Sequence, residues 1–214
     1  MGAPTGPRAL NIAETRDRIL AAAVAQFSQH GYSGARVDAI CKAADVTTRM
    51  VYHYYGDKAG LYVAVLEKVL GELRSEELKL DVSTAEPRAG LLTMFDFIFG
   101  HFASHPELIR LLSAENLMEA AFLKNSVATP DVASPVVRLI DTLLRRGEEA
   151  GSVRAGISAL HLYVVMVALS YFHKSNAFTL SVIWNTDLGE EAWRAEHFRI
   201  SRQILEAFLA PARA

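Results

Sequence analysis

The chain has 214 residues, half of them apolar and about a fifth charged, which suits one or two globular domains with a real core. A net charge of −2 excludes a polybasic nucleic-acid coat, and the single cysteine, Cys41, excludes an intrachain disulfide or a cysteine zinc cluster. The most apolar run, 157–172, is shorter than the roughly 18–20 residues of a membrane span and carries His161 and two serines, so it reads as a buried helix. A cytoplasmic setting with no membrane partner and no cofactor is expected. Charge is nonetheless uneven: residues 1–58 hold seven Lys/Arg against five Asp/Glu, leaving the remainder acidic, as in a phosphate-facing head on an acidic body.

In chain order, residues 1–10 carry two prolines and two glycines and read as a disordered tail, neither signal peptide nor anchor. Ile12, Ile19, Leu20, Ala23, Val24 and Phe27 recur at helical spacing, and Gly31 is placed to end that helix in a positive-φ conformation with Tyr32 folding back on it. Two short apolar segments, 37–44 and 46–55, precede a long helix over 57–80 and a polar connection over 81–87. An aromatic-rich helix over 88–104 stops at His105-Pro106, where Pro106 suits the first turn of the next helix and Glu107 favours its N-terminus. The two prolines within 125–135 predict a loop. Further helices are expected over 136–150, 157–176 and 190–209, the last two separated by a Ser/Thr/Asn connector. The expectation is an all-α chain of nine to ten helices: a three-helix N-terminal domain over 11–56, joined by a long helix to a larger helical domain over 57–214.

The two short helices carry most of the functional information. Val37, Ile40, Cys41 and Ala44 make one apolar face, Asp45 tolerates a left-handed turn, and Thr47 is a good N-cap for the second of the two helices. Two short helices across such a turn form a helix-turn-helix, whose second helix enters the DNA major groove N-terminus first. In that second helix Val51 and Tyr55 can pack inward, leaving Thr48, Arg49, Tyr52 and His53 mainly outward, side chains that suit base edges and phosphates. Lys58, in the first turn after Asp57, opposes the helix dipole and fits beside an anion.

The segments Gly31-Tyr32, Val37, Ile40, Ala44-Asp45-Val46-Thr47, Val51 to Lys58 and Leu61-Tyr62 resemble, without a gap over about 12–62, the DNA-binding head of the TetR family of bacterial repressors. The resemblance implies a dimer that binds a near-palindromic double-stranded operator and is released by a small-molecule effector. It also implies phosphate contacts from Arg36, Thr47 and Lys58, base contacts from Thr48 and Arg49, and backbone and groove contacts from Tyr52, His53 and Tyr54. Three positions depart from the family pattern: Ala35 stands where a capping Thr is usual, Asp45 replaces the turn Gly, and Arg49 replaces a small residue. These bear on operator sequence rather than on binding mode. Shorter matches in the C-terminal half, among them His105-Pro106-Glu107-Leu108 and Tyr171 to Asn176, are similar to a subgroup that includes regulators of pyrimidine and nicotinate breakdown, which points to an aromatic heterocycle or related catabolic intermediate.

Phe95, Phe99 and Phe102 recur on one helix as ordinary core or as the lining of a ligand cavity between helices. Glu115, Asn116, His161, His173 and Asn176 are the polar candidates, of which about two are expected to meet a ligand. His101 and His105 have a metal-compatible spacing, but no third ligand is evident and no metal is expected. Apolar stripes at Trp193, His197, Ile200, Ile204, Leu205 and Phe208, and at Leu160, Val164, Val167 and Tyr171, exceed the needs of one core and predict a homodimer through a four-helix bundle. The alternatives are a DNA-binding regulator that has no effector or that activates, and an all-helical enzyme. No recognisable nucleophile, P-loop or metalloprotease motif supports the enzyme.

Overall fold

The computed structural model describes residues 7–126 and 129–211, and among these it contains ten α-helices and no strand. They are α1 Pro7–Gly34, α2 Val37–Ala44, α3 Thr48–Tyr55, α4 Lys58–Lys79, α5 Pro87–Ser104, α6 Pro106–Leu117, α7 Thr129–Glu149, α8 Ala159–Ser175, α9 Ala177–Trp184 and α10 Glu191–Leu209, with a 3-10 turn at Leu123–Asn125. Of the predicted tail, residues 1–6 lie outside the described residues, while 7–10 are already helical.

The helices differ from the sequence reading in three places. Gly31 takes a positive φ of 66°, yet one more helical turn follows it to Gly34, so it kinks α1 instead of ending it. The loop expected over 125–135 is mostly helix, because α7 starts at Thr129. Pro130 falls in its first turn, where no intrahelical N–H is needed, and Pro135 is accommodated inside. The Ser/Thr/Asn connector before α10 contains α9, a two-turn helix closed by Asn185 in the left-handed conformation (φ 48°).

The chain forms two compact units. The first comprises Met1–Gly71 and Arg110–Thr129, the second Glu72–Ile109 and Pro130–Ala214. In the first, Ile19, Ala23 and Phe27 of α1 are fully buried at one-turn intervals with Ile40, Val51, Leu61 and Tyr62, whereas Ile12, expected on the same face, is exposed. Each such side chain contributes roughly 1.5–3 kcal/mol of burial. Phe27, Tyr32, Tyr62 and Phe122 form an aromatic cluster, with Tyr32 and Phe122 centroids 4.2 Å apart.

In the second unit, α5 supplies Leu91, Met94, Phe95, Ile98 and Phe102 to a core shared with Leu162 and Met166 of α8 and Leu205 and Leu209 of α10. The start of α5 is fully capped: Glu86 accepts from the backbone N–H groups of Arg88 (3.1 Å) and Ala89 (2.8 Å). The same unit buries a polar triad. The Glu77 carboxylate is fully buried, is ion-paired to Arg74, and accepts the Tyr163 hydroxyl at 3.2 Å. The Arg74 guanidinium also reaches Tyr163. Burial pushes the Glu77 carboxyl up and Arg74 pulls it back down.

Removing the cation should therefore cost more than the pair itself contributes, because an uncompensated buried carboxylate remains. Arg74→Met is expected to lose about 3–5 kcal/mol in chemical denaturation, and the double change Arg74→Met, Glu77→Leu to recover much of that loss. A double variant as unstable as the single one would show that Glu77 is not the source of the cost.

Candidate nucleic-acid interface and ligand chamber

The candidate functional surface of the first unit is α3, and four contacts hold it. Asp45 takes φ 52° and ψ 54° between α2 and α3, with Val46 N–H donating to the Cys41 carbonyl at 3.1 Å, so the left-handed turn expected of Asp45 is present. Thr47 caps α3, its hydroxyl accepting from Met50 N–H at 3.3 Å. Val51 is fully buried, and the Tyr55 hydroxyl donates to the Arg16 carbonyl of α1 at 3.3 Å, with Arg16 itself over the Tyr55 ring. Burial pushes the Tyr55 phenol up.

At the far end Gly56 takes φ 79°, which a side chain would resist, and donates to the Tyr52 carbonyl at 2.9 Å. Asp57 then caps α4 by accepting from Gly60 N–H at 2.8 Å. Gly60 lacks a Cβ for a steric reason: one built there would stand 2.1 Å from the Tyr55 carbonyl oxygen.

The predicted DNA-facing residues separate into an open and a half-closed set. Arg36, Thr47, Arg49, Tyr52 and His53 are exposed, and Tyr52 is 42% exposed despite its ring. Thr48 and Tyr54 are half-buried. Thr48 accepts a hydrogen bond from the buried Cys41 thiol (S to O 3.6 Å), so part of its hydroxyl serves the α2–α3 junction. Lys58 donates to the Ser33 carbonyl at 3.4 Å and lies 5.0 Å from the Tyr32 ring centroid, tying the start of α4 to the end of α1. Arg36 occupies the N-cap of α2 and gives it no side-chain cap, while Ala35 is buried. Sequence reading overlooked Met50, 37% exposed on the same helix, whose apolar side chain could meet a thymine methyl.

The eight ligand candidates do not assemble into one site. Phe95, Phe99 and His173 come together in the second unit, where Phe99 stacks on His173 at 5.3 Å and both phenylalanines pack on Phe198. Phe102 packs edge-on to Tyr171. Asn176 spends its amide on the Phe172 carbonyl (3.0 Å) and Ser175 hydroxyl (2.9 Å) as the C-cap of α8. His161 is exposed and pairs with the Ser158 hydroxyl at 3.0 Å, beside a separate groove with Arg154 and Phe208. Glu115 and Asn116 belong to the first unit. There Asn116 is exposed, and Glu115 accepts from the N–H groups of Phe122 and Leu123, both at 2.8 Å.

Around His173 the structure adds Trp193 and His197, which the sequence had placed on an outward dimer stripe. Both are only half-exposed and turn inward, with rings 4.9 Å apart and nearly parallel, because α10 presents Ile200, Ile204 and Phe208 outward instead. The i, i+4 spacing of Trp193 and His197 was the available signal, since one helical turn sets two rings face to face. His101 and His105 do stack, at 3.9 Å, with Glu76 3.2 Å from His101. Among the described residues no group of three or more could hold a metal, and no helix is long and apolar enough to cross a membrane.

With this geometry in hand, comparison with known proteins gives consistent matches. Residues 19–65 match the family described as bacterial regulatory proteins, tetR family, and residues 87–204 the tetracyclin repressor-like C-terminal domain. The chain is 33% identical over 192 residues to the HTH-type transcriptional repressor NicS of Pseudomonas putida, covering 90% of this chain and 91% of that one. It is 26% identical to the HTH-type transcriptional regulator RutR of Escherichia coli K12, over 88% and 87% of the two chains. Its fold is similar to the reduced form of E. coli NemR, with a TM-score of 0.65 and 21% identity over 94% and 99%.

The buried and half-buried imidazoles of the second unit make a pH test. Burial first, then neighbouring His197, Lys174 and Arg194, push the His173 ring from its ordinary 6.5 down to about 3. His197 and His101 are lowered too, again chiefly by burial. An unfolded His173 takes up a proton below pH 6.5 that the folded ring refuses, so its stabilising contribution is full above pH 6.5 and is lost as pH falls toward 3. Thermal melts between pH 7 and 5 should show a falling Tm, with a shallower slope for His173→Phe. An unchanged slope would mean that this ring titrates freely.

Proposed function

The chain belongs to the TetR family of bacterial transcription regulators, and on that premise we propose that it is a repressor which binds a near-palindromic operator as a dimer and releases it when a small molecule occupies the C-terminal half. The observation that carries the reading is α3: a short helix held rigidly at both ends, turning Arg49, Tyr52 and His53 to solvent. Thr47 and Lys58 at its margins and Arg36 at the start of α2 supply phosphate partners, and Thr48 and Tyr54 the edge of the groove contact. Lys58 in this reading has two roles, since its ammonium lies over the Tyr32 ring and donates to the Ser33 carbonyl while keeping further N–H donors for a phosphate. The reading divides the chain into a DNA-binding head over 11–56 and a ligand-binding and dimerisation body over 57–214. It makes the protein a regulator rather than an enzyme.

Dimerisation is supported by an apolar surface too large for a soluble monomer to leave bare. Leu160, Val164 and Phe172 of α8 and Ile200, Ile204 and Phe208 of α10 are each at least 40% exposed. Covering it with a second copy makes a two-fold interface, and two-fold symmetry is what a palindromic operator with half-sites roughly 34 Å apart requires. The effector reading is supported by a pocket among α8, α9 and α10 that is lined mainly by rings and apolar side chains.

Selection from a random duplex pool at moderate salt is expected to return an inverted repeat. Against it, Arg49→Ala should cost about 1–3 kcal/mol and relax preference at one position per half-site. Lys58→Met, which removes the ammonium and keeps an unbranched stem, should weaken all sequences alike and reduce the salt slope by about one per contacted phosphate. Recovery of no consensus from the pool would refute DNA recognition by this helix.

A further inference from the structure

A recognition helix enters the major groove N-terminus first, so the first turn of α3 is the part that meets base edges. Val51 is fully buried and fixes the inner direction of the helix. At about 100° per residue, Arg49 and His53 then point nearly opposite to Val51, and Met50 and Tyr52 flank them on either side. Arg49 and Met50 are therefore the outward side chains of the first turn, and both are exposed. The Thr47 cap holds this turn in place: its carbonyl and its hydroxyl both accept from the Met50 N–H, at 3.0 and 3.3 Å. Where the Met50 side chain leaves the helix is thus set by the cap and by the Val51 anchor.

Met50 is also in the wrong place for a core residue. Among the described residues of the first unit, four large apolar or aromatic side chains are exposed, Ile12, Met50, Tyr52 and Leu117, and two of them lie on the eight residues of α3. One exposed apolar group is ordinary on a protein surface. Two on so short a helix, beside Arg49 and His53, mark a face with apolar as well as polar contacts to make. Duplex DNA offers that combination, because the C5-methyl of thymine stands in the major groove among hydrogen-bonding base edges. Methionine suits such a target: its unbranched, rotatable thioether chain follows a methyl group without needing a preformed pocket.

Resting on the reading of α3 as the DNA reader, we propose that Met50 is a specificity-determining residue whose side chain covers the C5-methyl of a thymine beside the base pair read by Arg49. The two side chains divide the work by chemistry. The Arg49 guanidinium has the fork of donors that guanine O6 and N7 accept, and Met50, one residue further round the same turn, meets the neighbouring pair through an apolar contact. An apolar contact carries no donor or acceptor pattern, so Met50 selects its base by the methyl group alone. Each half-site then holds a thymine, on one strand or the other, whose methyl matters more than its hydrogen-bonding edge.

The test uses the full chain and the inverted repeat selected from the random pool. Each thymine of a half-site is replaced in turn by deoxyuridine, which removes the C5-methyl and keeps every hydrogen-bonding group. At one position the change is expected to weaken binding about fourfold, the worth of one buried methyl, and the symmetric pair of changes about fifteenfold. Met50→Ala and Met50→Gln should keep the wild-type Tm, since the side chain lies outside the core, and should lose the deoxyuridine penalty at that position. Arg49→Ala should relax preference at the neighbouring base pair; relaxation in a different part of the half-site overturns the placement. No penalty at any thymine in the wild type overturns the proposal. A penalty that survives in both Met50 variants also overturns it, because the methyl is then read by another group or through duplex shape. A pool that yields no consensus overturns the DNA reading itself, which separates that failure from the failure of this inference.

Discussion

An eight-residue helix does not hold its own shape in water, and the first unit is organised around that fact. Nucleating a helix costs more than two turns of hydrogen bonds return, so α3 exists because its ends and its inner face are fixed from outside. The left-handed Asp45 sets where it starts, the Thr47 hydroxyl satisfies one of its first N–H groups, Val51 anchors its middle, and Tyr55 ties its last turn to α1. Gly56 and Gly60 let the chain turn and let α4 begin against the Tyr55 carbonyl. The consequence is functional. A side chain on such a helix is placed by contacts that lie on the opposite face, so Arg49 and Tyr52 are free of structural duty.

The second unit answers a different constraint, which is how to keep helices packed while leaving space inside. Its core is built mainly on α5, whose side chains are buried around most of the helix, and the polar triad of Arg74, Glu77 and Tyr163 ties the end of α4 to α8. Toward α9 and α10 the packing changes character. Rings replace branched aliphatics, and flat groups stacked at 4–6 Å leave slots that aliphatic side chains would fill.

The helix-turn-helix was legible because each of its determinants is local. A cap, a left-handed turn and an i, i+4 apolar pair are all visible within ten residues, and Asp45, Thr47 and Val51 stand as read. What escaped was non-local or ambiguous. Pro130 and Pro135 read as a loop, yet proline in a first turn is compatible with α7. The apolar stripe of α10 could not be divided by periodicity alone, since Trp193, His197 and Ile200 lie within two turns and only the partner helices decide which of them faces in. Asn176 shows the same limit for polar residues: its identity fits a ligand contact and a helix cap equally, and the backbone geometry selects the cap.

In the first unit the Tyr62 hydroxyl and one oxygen of Glu115 are buried beside one another, inside the aromatic cluster that also holds Tyr32 and Phe122. Burial and the neighbouring carboxylate push the Tyr62 phenol up to about 12, so it stays protonated beside Glu115. Glu115 meanwhile fixes the turn carrying Phe122 through two backbone N–H groups. Tyr32 in turn carries Lys58 on its face. Phe122 is thus linked to Lys58 through one ring contact and one cation–π contact, both inside the first unit.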